Sequence, residues 1–248
     1  MDDIHLDYSA ASATQLEIRE DLQAAHRLVL DHFRRPGRWF SGRQRLAIAE
    51  EARRSLTCAL CQQRKQSLSP EHAQGEHATV SGLDAVLVDV IHRLRTDPGR
   101  LSKRWFEAVR AAGLSEGEYV EAVGIVALTA GLDAFCHTLG MPPFSLPQAS
   151  PGPPSGQRPA GLTSGIAWVD LLEPENASGE EADLYEGAGF VPNIMRALSS
   201  VPEHVRVLRP WSDANYVALS DMTARRAIDR QQIELVAARV SALNGCFY

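Results

Sequence analysis

The sequence predicts an all-α protein built from two helical modules. Ala, Leu, Arg and Glu are abundant and alternating runs of β-branched residues are nearly absent, a composition typical of helical proteins. Apolar residues recur at three- and four-residue spacing through most of the chain. A segment rich in proline and glycine, residues 147–161, interrupts this pattern. At 248 residues the chain is long enough for one large domain or two smaller ones.

Five helices are predicted in the first module, residues 1–146. Proline and glycine close the first and third of them, and Ser102 is expected to cap the fourth. The fifth starts with the sequence S-E-G-E, a capping box in which the Ser115 hydroxyl and the Glu118 carboxylate satisfy free backbone N–H groups. The predicted helices span residues 15–33, 43–56, 83–94, 102–112 and 115–140.

The segment PQASPGPPSGQRP within residues 147–161 predicts a linker, because such a sequence can neither propagate a helix nor bury a core. The second module, residues 162–248, is predicted to be helical wherever its apolar pattern is periodic, starting with IAWVDLL at 166–172. Its last helix ends at Asn244-Gly245, a typical helix stop. This module is visibly shorter than the first, and we expect it to be incomplete.

Charge and composition exclude several classes of function. A net charge of −6 and a pI near 5.8 leave no basic surface for nucleic acid or an anionic membrane. The acidic N-terminus MDDIHLDYSA lacks the apolar core of a secretory signal, and no apolar run is expected to approach the ~18 residues of a membrane span. These features predict a cytoplasmic protein. Four cysteines are too few for a disulfide scaffold in a chain of this length.

The clearest chemical motif of the first module is C-A-L-C at residues 58–61. On a helix, residues three apart share a face with Cβ atoms about 5 to 6 Å apart, from which two sulfurs can form a disulfide after small adjustments. With Thr57 as the N-cap, Cys58 would lie at the helix N-terminus, where free N–H groups favour a thiolate. A thiolate attacks peroxides and disulfides, so Cys58 and Cys61 are predicted to be a redox-active dithiol.

Two other interpretations of this cysteine pair stay open. A zinc site needs four ligands, and the candidates considered, His72, His77 and the distant Cys136-His137, do not have zinc-finger spacing. Alternatively, both thiols pack in a helical core, since free cysteine is among the most buried residue types. The redox interpretation requires no metal and no cofactor, and we expect neither.

Two Asp–His pairs are placed one helical turn apart. Asp133 precedes His137 by four residues and Asp89 precedes His92 by three, so each carboxylate could orient an imidazole. Pairs of this kind are common at surfaces and core edges. We therefore assign neither pair a catalytic role.

The end of the chain carries a second motif, IELVAARVSALNGCFY, in which eleven residues (235–245) separate Glu234 from Cys246. With GFVPNIMRALSSVPEHVRVL upstream, it resembles the core of the AhpD-like alkylhydroperoxidases, within the carboxymuconolactone decarboxylase superfamily. In that family a glutamate, eleven residues, a Cys-x-x-Cys pair and a later histidine form the active site. The resemblance makes Glu234 the proton-relay glutamate and Cys246 the resolving cysteine. The family's other cysteine and its histidine would fall beyond Tyr248.

The first module resembles the same superfamily more loosely, through RQRLAIAEEARRSLTCALC and the helices that follow it. Leu46 stands at the position of the relay glutamate and Lys65 at that of the histidine, so the family's relay is not reproduced. Glu50 or Glu51 could substitute from about two turns upstream of the cysteines, roughly 10 to 12 Å along the helix axis. That distance requires water or another side chain in between.

The resemblance implies a thiol-dependent reductase of alkyl hydroperoxides in which Cys61 attacks the peroxide and Cys58 resolves the product. It implies a hydroperoxide substrate, a protein or lipoyl-type dithiol as reductant, and a homo-oligomer, either a trimer or a hexamer. Two alternatives belong to other classes. One is a lyase like the decarboxylase that names the superfamily, which would not need the thiols, and the other is a helical interaction module without catalysis.

Overall fold

The computed structural model describes residues 4–9, 17–218, 221–223 and 226–243. Across these residues the chain is mostly helical, as predicted, with one pair of very short strands and four isolated 3₁₀ turns. The helices are α1 (Glu20–Arg34), α2 (Gly42–Ser55), α3 (Ala59–Gln66), α4 (Ala85–Thr96), α5 (Lys103–Ala111), α6 (Glu116–Thr138), α7 (Asn193–Arg196), α8 (Pro202–Asn215) and α9 (Arg230–Leu243). The strands are β1 (Leu162–Thr163) and β2 (Leu171–Leu172).

Four of the five helices predicted in the first module are confirmed to within two residues at each end, whereas the first begins at Glu20 instead of residue 15. The capping box of α6 is confirmed. The Ser115 hydroxyl accepts the Glu118 backbone N–H, and the Glu118 carboxylate accepts that of Ser115 at 2.7 Å. Ser102 caps α5 as predicted. A second capping box, between Ser41 and Gln44, starts α2. Both boxes satisfy backbone donors that would otherwise be unpaired where a helix begins.

Helix α6 lies at the centre of the fold and packs against α2 and α4. By length and composition it could span a membrane, since an 18-residue window reaches a mean hydropathy of 1.5. This corrects the expectation that no apolar run approaches that length. In the structure, however, 67% of the window is buried. The apolar character of α6 is therefore used in the protein core.

The stretch 166–172 is not helical, contrary to the prediction. Its last two residues form β2, which pairs antiparallel with β1 so that Leu162 faces Leu172. Both strand leucines of β2 are buried, and the Leu172 N–H donates to the Ser199 hydroxyl at 2.8 Å. Gly165, with a positive φ of 87°, lies in the turn that brings β2 back beside β1.

The hydrophobic core does not divide at the Pro-rich segment. One cluster of buried residues contains Phe144 before the segment and Val169, Leu172 and Val205 after it. The segment itself follows the α1–α2 connection, where Ser155 donates its N–H to the Gly37 carbonyl at 3.0 Å. Helix α8, in the second predicted module, packs against α1, in the first, within the same core. The structure therefore does not separate the two modules, and the boundaries at residues 146 and 162 stay predictions from sequence.

A buried ion pair joins α2 to α6 beneath α8. The side chains of Arg45 and Glu121 are 2% and 0% exposed, and Arg45 Nε lies 3.2 Å from Glu121 Oε1. Glu121 also accepts the Trp39 N–H at 2.7 Å, and the His204 ring lies 3.0 Å from the Glu121 carbonyl oxygen. Burial raises the pKa of Glu121 to about 7, while Arg45 and the Trp39 N–H act to lower it. Removal of either side chain would leave the other buried without its counter-charge.

We expect Arg45→Met to lower the free energy of unfolding by about 3 to 5 kcal/mol, because it leaves the Glu121 carboxylate buried without its counter-charge. Urea denaturation followed by circular dichroism measures the change. Arg43→Met is the matched control on the exposed side of the same helix and should change stability by no more than about 0.5 kcal/mol. Equal effects of the two substitutions would contradict a stabilising role for this pair.

Candidate functional site

The two cysteines of the C-A-L-C motif lie at the start of α3. Cys58 itself is the N-cap residue, with φ −74° and ψ 123°, and α3 begins at Ala59. The prediction of Thr57 as the cap is therefore wrong by one residue, because the chain turns sharply at the end of α2, where the Cys58 N–H donates to the Ser55 carbonyl. Both thiols are free and point into the protein, with residue exposures of 0% for Cys58 and 3% for Cys61.

Two histidines from other parts of the chain meet these sulfurs. His77, from the segment between α3 and α4, places Nδ1 3.6 Å from the Cys58 sulfur and 3.7 Å from the Cys61 sulfur. His92, from α4, places Nδ1 3.1 Å from the Cys61 sulfur. All four atoms lie within 4.8 Å of one another. We call Cys58, Cys61, His77 and His92 the Cys/His cluster.

Each histidine of the Cys/His cluster contacts a carboxylate through its other ring nitrogen. His77 Nε2 lies 2.9 Å from Asp89 Oδ1, and His92 Nε2 lies 2.9 Å from Glu51 Oε1. Arg64 in turn donates to Asp89 at 2.5 Å. The carboxylates orient both rings so that Nδ1 faces the sulfurs.

The electrostatics of the cluster favour ionised thiols. Burial raises the pKa of Cys58, but the Cys61 N–H and the His77 ring outweigh it and lower the value to about 6. The pKa of Cys61 is also lowered, because His77 and His92 outweigh the effect of burial. Burial lowers the pKa of His77, whereas Asp89 and both sulfurs raise it to about 10. His77 and His92 therefore favour the ionised form of both thiols in a buried corner of the protein.

This arrangement can support two kinds of chemistry. Two adjacent thiols with a base in contact can be oxidised to a disulfide. Two thiolates and two imidazoles converging on one point can also bind a transition metal.

Of the two glutamates proposed as a relay, Glu51 reaches the cluster and Glu50 does not. Glu51 is fully buried and contacts His92, whereas Glu50 is exposed on the other side of α2. The distance between Glu51 and the sulfurs is bridged by a side chain, the imidazole of His92.

The other candidate residues of the first module lie elsewhere. Asp133 pairs with Arg53 at 2.9 Å instead of orienting His137, which is exposed. His72 is also exposed, and Cys136 is buried in the main hydrophobic core. Asp89 and His92, placed on one helix, do not pair with each other because each contacts a partner from another segment.

Glu234 lies on α9, a helix without a buried residue. Its carboxylate accepts the Tyr216 hydroxyl at 2.5 Å and Arg230 Nε at 2.7 Å. Cys246 lies outside the described residues, so the structure does not test the pairing of Glu234 with Cys246.

Sequence reasoning found the cysteines and Glu51 but did not assign His77 and His92 to the same site. Fifteen residues (62–76) separate Cys61 from His77, and fourteen (78–91) separate His77 from His92. The sequence signal that could have indicated their role is that two histidines follow a Cys-x-x-Cys motif. The acidic partners of these histidines, Asp89 and Glu51, lie in neighbouring helices.

Comparisons of this chain with models of protein families, with curated proteins and with solved structures find no match.

Proposed function

We propose that this protein is a thiol-dependent reductase of hydroperoxides that uses Cys61 and Cys58. The observation that carries the proposal is the hydrogen-bonded chain from Glu51 through His92 to the Cys61 sulfur, with contacts of 2.9 and 3.1 Å. A thiol needs a positioned base to become the attacking thiolate, and an imidazole held by a buried carboxylate is such a base.

Cys61 is the better candidate for the attacking residue. Its sulfur contacts both imidazoles, whereas the Cys58 sulfur contacts His77 alone. Cys61 also retains 3% exposure, while Cys58 has none. The same order of roles is implied by the resemblance to AhpD-like enzymes.

The reaction proceeds in two balanced steps. The Cys61 thiolate attacks the hydroxyl oxygen of the hydroperoxide and breaks the O–O bond, and the leaving alkoxide takes a proton from the His92 imidazolium to form an alcohol. Cys61 is thereby oxidised to a sulfenic acid. His77 takes the proton of the Cys58 thiol, and the Cys58 thiolate displaces hydroxide from the Cys61 sulfur to form the disulfide. The His77 imidazolium returns that proton to the hydroxide, which leaves as water. Two electrons from an external dithiol, of protein or lipoyl type, restore both thiols.

The separation of the two sulfurs, no more than 4.8 Å, supports the second step. A disulfide bond is about 2.05 Å long, so the sulfurs must approach by at most about 3 Å, which side-chain rotation and a small shift of the helix start can supply.

The trimer or hexamer and the cytoplasmic location stay predictions.

The first test follows free thiols in the metal-free, reduced protein exposed to cumene hydroperoxide. We expect two thiols per chain to be lost and dithiothreitol to restore them. Cys61→Ser should abolish the loss, because the attacking sulfur is absent, while Cys58→Ser should stop at a sulfenic acid that dimedone traps. Cys136→Ser is the control and should behave as the wild type, since this cysteine lies in the main core.

No thiol loss in the folded, metal-free protein would overturn the proposal. Decarboxylase activity that survives in the double variant Cys58→Ser/Cys61→Ser would instead favour the lyase. Absence of both activities would favour an interaction module.

The second test concerns the relay. Glu51→Gln should slow thiol loss by about 100-fold, at the lower end of the contribution of general acid–base catalysis, because His92 loses the carboxylate that supports its positive charge. Glu50→Gln, one residue away and exposed, should leave the rate unchanged. Stopped-flow measurement of thiol loss across pH 5 to 9 gives the rates of both variants for comparison with the wild type.

Glu51 also accepts the Thr79 hydroxyl at 2.7 Å, so a purely structural effect must be separated. Thr79→Val removes that contact and leaves the relay intact. A rate loss in Thr79→Val equal to that in Glu51→Gln would show that Glu51 acts only by holding the segment around residue 79.

A further inference from the structure

The Cys/His cluster has the dimensions of a tetrahedral metal site. With bonds of about 2.3 Å to sulfur and about 2.05 Å to nitrogen, tetrahedral geometry places a sulfur and a nitrogen about 3.5 Å apart. Three of the four sulfur–nitrogen distances are 3.1, 3.6 and 3.7 Å, and all four ligand atoms lie within 4.8 Å of one another. Four ligand atoms from three separate segments therefore lie close enough together to share one metal ion.

We propose that Cys58, Cys61, His77 and His92 together bind one zinc ion. Thiolate and imidazole are the ligands that zinc takes in protein sites, and hard cations such as Mg²⁺ and Ca²⁺ require oxygen ligands instead. The two thiolates neutralise the charge of a divalent ion. With four protein ligands the coordination shell is closed, which is the arrangement of a structural zinc site and not of a catalytic one.

The carboxylates beside the histidines support the assignment independently of the four ligands. When Asp89 and Glu51 accept a proton from Nε2 of His77 and His92, the Nδ1 lone pair of each ring is free and faces the sulfurs. Carboxylates in this position fix the tautomer and raise the basicity of metal-bound histidines. Two such pairs converging on one point are the expected surroundings of a metal ion.

Packing gives a structural reason for an ion at this corner. Cys58, Leu60, Cys61 and Ala73 form a small hydrophobic cluster of their own, separate from the main core. The segment from Ser67 to Asp84 contains no helix longer than the 3₁₀ turn Pro70–His72. A zinc ion would tie that segment, α3 and α4 together where hydrophobic contacts are few.

The ion needs only the four ligand atoms and does not depend on the proposed peroxide chemistry. The two uses of the thiols exclude each other at any one moment, since a sulfur bound to zinc is not a free nucleophile and a disulfide is not a zinc ligand. The sequence-based zinc interpretation considered His72, His77 and Cys136-His137 as further ligands and did not include His92.

The test measures metal binding by the full, reduced chain. We expect one zinc ion per chain by elemental analysis, and Co²⁺ substitution should give the intense visible bands of tetrahedral coordination together with thiolate-to-cobalt charge transfer. Competition with a chromogenic chelator should show Asp89→Asn to bind Zn²⁺ about 10- to 100-fold more weakly, because His77 loses the carboxylate that orients it. His77→Ala should weaken binding further.

Matched controls use residues of the same types outside the cluster. His72→Ala removes an exposed histidine of the same segment, and Cys136→Ala removes a cysteine from the main core, so both should bind Zn²⁺ like the wild type. Circular dichroism establishes that each variant is folded. Removal of the ion should also speed hydrogen exchange of backbone amides in residues 58–84 while leaving α6 unchanged.

The proposal is overturned if the folded, reduced wild type binds no Zn²⁺ and gives no tetrahedral Co²⁺ spectrum, or if His77→Ala binds Zn²⁺ as tightly as the wild type. Thiol loss with peroxide is measured separately on the metal-free protein. Zinc binding without thiol loss would overturn the peroxidase and retain the site, and thiol loss without zinc binding would do the reverse.

Discussion

The Glu51 carboxylate joins three parts of the chain whose relative positions determine the site. It is fully buried and contacts His92 of α4, while Thr79 and the backbone N–H groups of Val80 and Ser81 donate to it from the preceding segment. A carboxylate removed from water is tolerated only where donors replace its hydration. Since Glu51 comes from α2, this one group fixes α4 and the segment carrying His77 against the helix that leads into the cysteines.

In the Cys/His cluster, a proton, a metal ion and a second sulfur compete for the same electron pairs. A lone pair on the Cys61 sulfur can hold a proton, bind zinc or form a disulfide with Cys58, and the imidazoles affect all three outcomes. They favour loss of the proton, which is a requirement shared by metal binding and nucleophilic attack. A cluster that lowers thiol pKa values is therefore compatible with either chemistry, and the surrounding redox conditions and free zinc concentration decide between them.

Local features of the sequence predicted most of the fold. The α6 capping box involves residues three apart, and the helices follow from apolar spacing, so neither depends on distant contacts. The prediction of helix for residues 166–172 is wrong because β2 forms through pairing with β1 and a hydrogen bond to Ser199, which the local sequence does not show. Its leucines are buried on a short strand, and their spacing alone cannot be distinguished from one turn of a helix.

The parts of the candidate site that depend on local sequence were also predictable. Cys58 and Cys61 are neighbours on one helical turn, and the burial of Glu51 follows from its position three residues after the buried Ile48 on the same face of α2. The contribution of His77 and His92 depends on how residues 67–84 fold back over α3. No periodic pattern encodes that path, because it is determined by hydrogen bonds to Glu51 and Asp89.

The segment between α3 and α4 supplies one ring to the cluster and is otherwise largely exposed. Lengthening a flexible connection costs little, about 0.6 kcal/mol for each doubling of its length. Natural variation should therefore be distributed unevenly in proteins that share this corner. The spacing between Cys58 and Cys61, and that between Asp89 and His92, should be invariant because each pair is set by a helical turn. The number of residues between α3 and His77 should vary most, because residues 79–81 are held by their hydrogen bonds to Glu51.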